Sequence, residues 1–267
     1  MKLPVVALRG LTVLPKMTIH FDVSRKKSIE AVEQAMKTDQ TVFLITQLSS
    51  NTEEPGKSDL YTAGTVAQIK QLLKLPNNIV RVLAEGQHRG ALKELDTKGS
   101  YLTGEVELWE LDPIEEELDE YTQEAMLRIL KEGLEAYAEN GGPGSQGLIQ
   151  LVDIENLQTM LEQIPQVLPF SYKTKQGMLE AASYEDLYMF TERALQKEAE
   201  VSKIKREFQA KVKERVDKSQ KEYILREQMK VIREELGEDG GAADIEQLEK
   251  KLKTMKASKE VKTQIEK

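Results

Sequence analysis

Cysteine is absent from these 267 residues, so neither a disulfide framework nor a thiolate metal site exists. Histidine occurs only at His20 and His88, and without an H-x-x-x-H partner neither belongs to a recognisable metal-ligand pair. No stretch approaches the roughly 20 apolar residues that cross a bilayer. The opening "MKLPVVALRGLTVLP" lacks the apolar core and small-residue cleavage site of a signal peptide. The expected compartment is therefore the cytoplasm. Glycine and proline are both missing between Gly177 and Gly237, which leaves 59 residues to run as one or two helices. An average helix has only about 11–12 residues.

Catalytic signatures are missing as well. A phosphate-cradling loop needs G-x-x-x-x-G-K-[ST], and after Gly142 to Gly147 come Leu148 and Ile149 instead of a lysine and a hydroxyl. No G-x-S-x-G elbow is present, no serine has a recognisable base nearby, and carboxylates are too many for any pair to stand out. The expectation is no catalytic, metal or cofactor site in these residues.

What is present is charge, unevenly divided. The hydrophobic share is 39% and the charged share 31%, with a mean hydropathy of -0.50. Residues 1–190 carry 18 basic and 29 acidic side chains, net -11, and residues 191–267 carry 20 and 17, net +3. An acidic front repels phosphate and argues against nonspecific nucleic-acid binding. The interleaved signs of the rear suit a solvated helix with many i,i+4 pairs. The basic segment 205–221 is interrupted by Glu207, Glu214 and Asp217 and has few aromatics to stack bases.

Periodicity predicts an α+β chain. Residues 1–112 read as short β-prone runs separated by turn residues. One helix over 24–40 interrupts them, with Ile29, Val32 and Met36 on one face and Ser28 as its cap. A long hairpin over 64–90 has its tip at "LPNN", because Pro76 cannot donate to a ladder and Asn77 and Asn78 tolerate positive φ. Gly86 and Gly90 around His88 read as a second tight turn. Residues 113–183 read as a small helical bundle of helices near 114–139, 147–163 and 172–182. Asp112 caps the first, Pro113 opens it, and Leu127, Leu130, Leu134, Ile149, Leu157, Leu161 and Leu168 form the core.

A long helix is expected over 184–236. Val201, Ile204, Phe208, Val212 and Val216 step by 3, 4, 4 and 4, and Leu225, Met229, Ile232 and Leu236 by 4, 3 and 4. One apolar side chain per turn is the width of a coiled-coil seam. A glycine hinge over 237–243 and a second helix over 244–267 follow, and the sequence reads as stopping inside that helix.

Three stretches, in order, resemble one family. "LPVVALRGLTVLPKMTIHFDVSRKKSIEAV" is similar to the opening of Lon-type ATP-dependent proteases, "GTVAQIKQLLKLPNNIVRVLAEGQHRGAL" to the central hairpin of their N-terminal domain, and "EYILREQMKVIREELGE" to the helical segment before their ATPase module. The resemblance implies a PUA-like small barrel, a helical subdomain and a long helix leading towards an ATPase. It also implies a homohexameric serine protease of protein quality control and stress response, whose ATP- and magnesium-using module and serine–lysine dyad have no matching position here.

Such a domain would meet unfolded or damaged proteins through solvent-facing apolar groups. Two candidate sites follow: the loop with Leu14, Pro15 and Met17, and the hairpin tip with Leu73, Leu75 and Pro76. Self-association is expected through Val201, Ile204, Phe208, Val212 and Val216, because a lone helix with so narrow a stripe is marginal in water. Tyr223, Met229, Ile232, Glu235 and Leu236 near the hinge extend the seam or touch clients. Two other readings stand beside this one: a free-standing coiled-coil adaptor or scaffold, and an RNA-binding PUA-like module, which the acidic front disfavours.

Overall fold

A computed structural model describes residues 1–142, 145–235 and 251. It divides into two compact units, Met1–Arg206 and Glu207–Lys267. In chain order the elements are β1 (Lys2–Leu8), β2 (Thr18–Val23), α1 (Lys26–Lys37), β3 (Thr41–Gln47), β4 (Leu60–Leu75), β5 (Ile79–Asp96) and β6 (Thr103–Trp109). Helices α2 (Ile114–Glu117), α3 (Glu120–Glu139), α4 (Ser145–Val152), α5 (Leu157–Val167), α6 (Tyr172–Glu180) and α7 (Tyr184–Glu235) follow. The architecture is α+β, a β-rich front followed by helices.

The sheet closes on itself. Its order is β2-β5-β4-β3-β1-β6, and β6 also pairs with β5. Strand β5 is long enough to serve two partners along one edge: β2 lies beside Val80–Glu85 and β6 beside Arg89–Asp96. Strand β1 runs parallel to β3, and α1 packs against both. Because β1 is covered on both faces, it is a near-continuous apolar run. Val5 and Ala7 join the cluster that includes Phe43, Leu92 and Val106, whereas Val6 and Leu8 join the larger cluster that takes in α1 and the helical layer.

Tertiary contacts override several local readings. Gly86 to Gly90 is no turn, since β5 passes straight through it with a register shift opposite Val66 and Ala67. Gly86 is needed because a Cβ there would lie 2.2 Å from the Leu14 carbonyl oxygen. The loop before β2 crosses at that point, with the Lys16 amide donating to Gly86 (2.8 Å) and the Gly86 amide to Met17 (2.9 Å). Ser28 does not cap α1. It is buried in the first turn, and the helix starts after Arg25 without a side-chain cap. Nor does Asp112 cap a helix over 114–139. That segment breaks at Leu118, and Asp119 caps α3 by accepting from the Thr122 amide at 3.1 Å.

The span 147–163 likewise divides into α4 and α5. Asn156 caps α5 through the Thr159 amide at 2.9 Å, and Ser171 caps α6 through Thr174. Leu130, Leu134, Leu157, Leu161 and Leu168 are buried and Leu127 partly so. The Ile149 side chain, Leu236, the hinge over 237–243 and, apart from Lys251, the helix over 244–267 lie outside the described residues.

Barrel and helices share polar contacts as well as apolar ones. The Thr12 hydroxyl contacts Thr46 Oγ1 (2.8 Å) and the Tyr172 carbonyl (3.0 Å), and the Gln176 amide donates to Ala63 O (3.0 Å). The three side chains of this network, Thr12, Thr46 and Gln176, are all buried. The first turns of α7 are buried through Tyr184, Leu187, Tyr188, Thr191 and Leu195. In the unit from Glu207, every described residue is exposed.

Candidate functional site

The residues singled out from sequence fall into three environments. Leu14 and Met17 are not solvent-facing: they are 6% and 8% exposed and belong to the core. The two hydrogen bonds to Gly86 pull their loop down onto β5, which turns both side chains into packing groups. Pro15, between them, stays half-buried.

The hairpin tip is different. Pro76 to Asn78 form the turn between β4 and β5, with Asn77 and Asn78 both at φ 61. Leu73 is 50% exposed, Leu75 is half-buried and Pro76 is exposed. Ion pairs brace the arm behind it. Lys74 reaches Glu33 of α1 at 2.6 Å, Arg81 binds Asp22 of β2 at 2.7 Å, and Lys70 meets Glu85 at 2.8 Å. The Arg81 hydrogen bonds hold the Asp22 carboxyl below its ordinary value, and the Lys74 hydrogen bond does the same for Glu33. The tip is a braced arm carrying apolar side chains into water.

Along α7 the predicted stripe is uncovered: Val201, Ile204, Phe208, Val212, Val216, Tyr223, Met229 and Ile232 are all exposed, Phe208 at 67%. Glu235 is exposed too. Ile224, Leu225 and Val231 add apolar surface near the end, so the stripe widens there.

A cleft of about 420 Å³ opens within the Met1–Arg206 unit, between the β6 end of the barrel and the helices. Pro15, Trp109, Leu111 and Pro113 line it on one side, and Leu161, Pro165, Tyr184 and Leu187 on the other. Arg89 lies among them, 9% exposed. Its guanidinium donates to the carbonyls of Leu179 (2.6 Å) and Met178 (3.1 Å), where α6 ends. Burial pushes the Arg89 pKa down, while Tyr184 and Glu162 push it back up. Burial also raises the Tyr184 phenol, and Glu162 adds to the rise. At the mouth Lys16 pairs with Glu162 at 2.7 Å, and His88 Nδ1 meets Glu110 Oε1 at 2.8 Å.

Of the residues lining the cleft, only Leu14 and Pro15 are candidate site residues by sequence. Trp109, Glu162 and Leu187 come from segments that fold brings together, and the one available hint was that Trp109 is the chain's single tryptophan.

A second cleft, about 490 Å³, is lined by Arg9, Arg25, Lys26 and Lys27 together with Glu53 and Glu54. Its arginines fasten the loop before β4, Arg25 donating to Glu53 O and Arg9 to Thr52 O, while Arg25 also donates to Ala7 O of β1 and Lys27 to Thr97 O after β5. Among the described residues no three His, Asp or Glu side chains gather to hold a metal ion, and no helix is long and apolar enough to cross a membrane.

Comparison with known proteins adds a family. Residues 2–197 match the family described as the ATP-dependent protease La (LON) substrate-binding domain. The whole chain is 43% identical over 267 residues to a Lon protease of Lachnoclostridium phytofermentans, of which it covers 33%. It is 38% identical over 268 residues to a Lon protease of Brevibacillus choshinensis, covering 34% of it. Against Lon protease 1 of Bacillus subtilis the identity is 35% over 94% of this chain and 32% of the relative. The chain thus spans about a third of the length of the curated relatives it matches. Among solved structures, the N-terminal domain of a Mycobacterium avium complex Lon protease superposes with a TM-score of 0.57 at 14% identity, over 73% of this chain and 98% of that one. That likeness concerns the fold.

Proposed function

The chain belongs to the Lon substrate-binding domain family, and from that premise we propose that it recognises and holds polypeptide clients on behalf of an ATP-dependent serine protease in the cytoplasm. The clients are unfolded or damaged proteins, whose shared chemistry is apolar side chains exposed to water. The observation that carries this reading is the family match over residues 2–197; the braced hairpin tip supplies a means. A receptor with varied clients benefits from a rigid, exposed apolar surface without deep shape selection, and Leu73, Leu75 and Pro76 offer one. Nucleotide hydrolysis with ATP and magnesium, and peptide-bond cleavage, belong in this reading to other modules of the protease.

The test is fluorescence anisotropy with a labelled, permanently unfolded protein. Replacing Leu75→Asp together with Pro76→Ser is expected to weaken binding about tenfold or more, with an unchanged circular dichroism spectrum. Equal affinity of variant and parent would remove the tip from client binding.

A second role is favoured by the exposed stripe on α7. We propose that Ile204, Phe208, Val212 and Val216 pair with the same stripe of another copy, contributing to assembly of a hexameric protease. Uncovered apolar side chains along a helix are costly in water and gain from a partner. A scaffold without a protease would use the same stripe, so pairing by itself does not separate those two readings. An RNA-binding role is disfavoured by the net -11 of residues 1–190.

A further inference from the structure

The cleft between the end of β6 and helices α5 and α7 joins an apolar floor to an unequal rim. Trp109, Leu161 and Leu187 supply the apolar surface. Of its cations, Lys16 is bonded to Glu162 and Arg89 is committed to the carbonyls at the end of α6. Of its carboxylates, Glu110 meets His88 Nδ1 at 2.8 Å yet keeps 73% of its side chain exposed, and exposed Glu115 makes no ion pair among the described residues. Three carboxylates, Glu110, Glu115 and Glu162, thus stand against two cations, Lys16 and Arg89, around a space whose size, about 420 Å³, suits one bulky side chain and its neighbours.

We propose that this cleft takes an extended client segment in which a bulky apolar residue stands next to a lysine or arginine. The apolar side chain enters against Trp109, and the cation stays at the rim beside Glu110 and Glu115. The inference rests on the reading of the chain as a client receptor and adds a preference to it. Acidic segments and nucleic acids meet repulsion at the same rim. A second copy of the acidic residues 1–190 meets it too, which is why a basic peptide is the favoured occupant. Charge of this kind also raises the rate at which basic segments arrive.

Trp109 is the chain's only tryptophan, so its emission reports occupancy of the cleft without a label. The intact chain is titrated near physiological salt with a peptide bearing a central Arg-Leu-Leu-Lys, its Glu-Leu-Leu-Glu counterpart, and an Arg-Ser-Ser-Lys control, none of which contains tryptophan or tyrosine. The basic apolar peptide is expected to shift Trp109 emission and to bind about tenfold tighter than either of the others, with the Glu110→Gln, Glu115→Gln double variant narrowing its lead over the acidic peptide to below about threefold. Both replaced side chains are exposed, and circular dichroism checks the fold. Equal binding of acidic and basic peptides overturns the proposal, as does full binding of the serine control. An emission shift caused by protein concentration alone would assign the cleft to a second copy and also overturn it. A labelled unfolded protein is titrated in parallel. If it binds while Trp109 responds to no peptide, the cleft inference fails and the receptor reading stands; if it does not bind either, both fail.

Discussion

Arg89 on β5 and Leu179 in α6 lie 90 residues apart in sequence, yet the guanidinium of one donates to the carbonyl of the other at 2.6 Å. The same nitrogen reaches the Met178 carbonyl at 3.1 Å. A cation placed where a helix ends satisfies carbonyls that have no partner inside the helix and meets the negative end of its dipole. The pairing ties barrel to helices. Arg89→Ala is expected to destabilise the Met1–Arg206 unit by about 2–4 kcal/mol, because buried acceptors lose their donor. Arg89→Lys should recover only part of that, since an ammonium lacks the planar fork. Urea unfolding followed by circular dichroism measures both, and an alanine variant as stable as the parent would refute the role.

Gly64 and Gly90 face each other across β4 and β5, and the Phe43 ring fills the space they leave. A Cβ at Gly64 would lie 2.6 Å from both the Leu44 carbonyl oxygen and Phe43 Cζ, whereas a Cβ at Gly90 would meet Val106 Cγ1 at 2.6 Å and Phe43 Cε2 at 2.9 Å. Either alanine should cost at least about 2 kcal/mol through overpacking. The two should differ in rescue. Adding Phe43→Leu is expected to recover much of the loss for Gly90→Ala, whose neighbours are side chains, and little for Gly64→Ala, which also strikes backbone. Equal rescue in a double-mutant cycle would contradict this.

Acid should loosen the hairpin arm. Arg81 holds Asp22, and Lys74 holds Glu33, below their ordinary pKa values when folded. A carboxyl with a lowered folded pKa gives its stabilisation in full above its unfolded value near 4, and loses it as pH falls through the folded value. Asp22 is exposed and Glu33 half-buried at the surface, so the effect is local. Hydrogen exchange of residues 71–83, corrected for intrinsic rates, should speed up on going from about pH 5 to pH 3. Asp22→Asn with Glu33→Gln should show fast exchange already at neutral pH and little further pH dependence.

Phe208 is 67% exposed on α7, so its replacement removes no intrachain packing. Phe208→Asp is expected to shift the mass seen in sedimentation equilibrium towards monomer, with helix content unchanged. An unaltered association constant would exclude Phe208 from the pairing surface.

Much of the architecture follows from local pattern. The apolar runs of β1 and β3, the 3-and-4 stepping along α7 and the turn residues at Pro76 to Asn78 are all legible in the sequence, because each belongs to one element's own stretch of chain. The misreadings have a common cause. Gly86 reads as a turn because glycine permits turns, but it is required here by the carbonyl of Leu14 crossing above it. Leu14 and Met17 read as an exposed apolar loop, and only the hydrogen bonds from that loop to Gly86 reveal that they face inward. Asp112 and Asp119 are both plausible caps by residue type. The break at Leu118 decides between them.

By itself, then, the sequence determined the α+β class, the apolar hairpin tip and the single-residue stripe of α7, each set by periodicity and turn chemistry within one stretch of chain. Only the tertiary structure decided which apolar groups remain in water and where a cleft opens. Both depend on segments as distant as Pro15, Trp109, Leu161 and Leu187 meeting, and burial is a property of that meeting, not of any one segment's pattern.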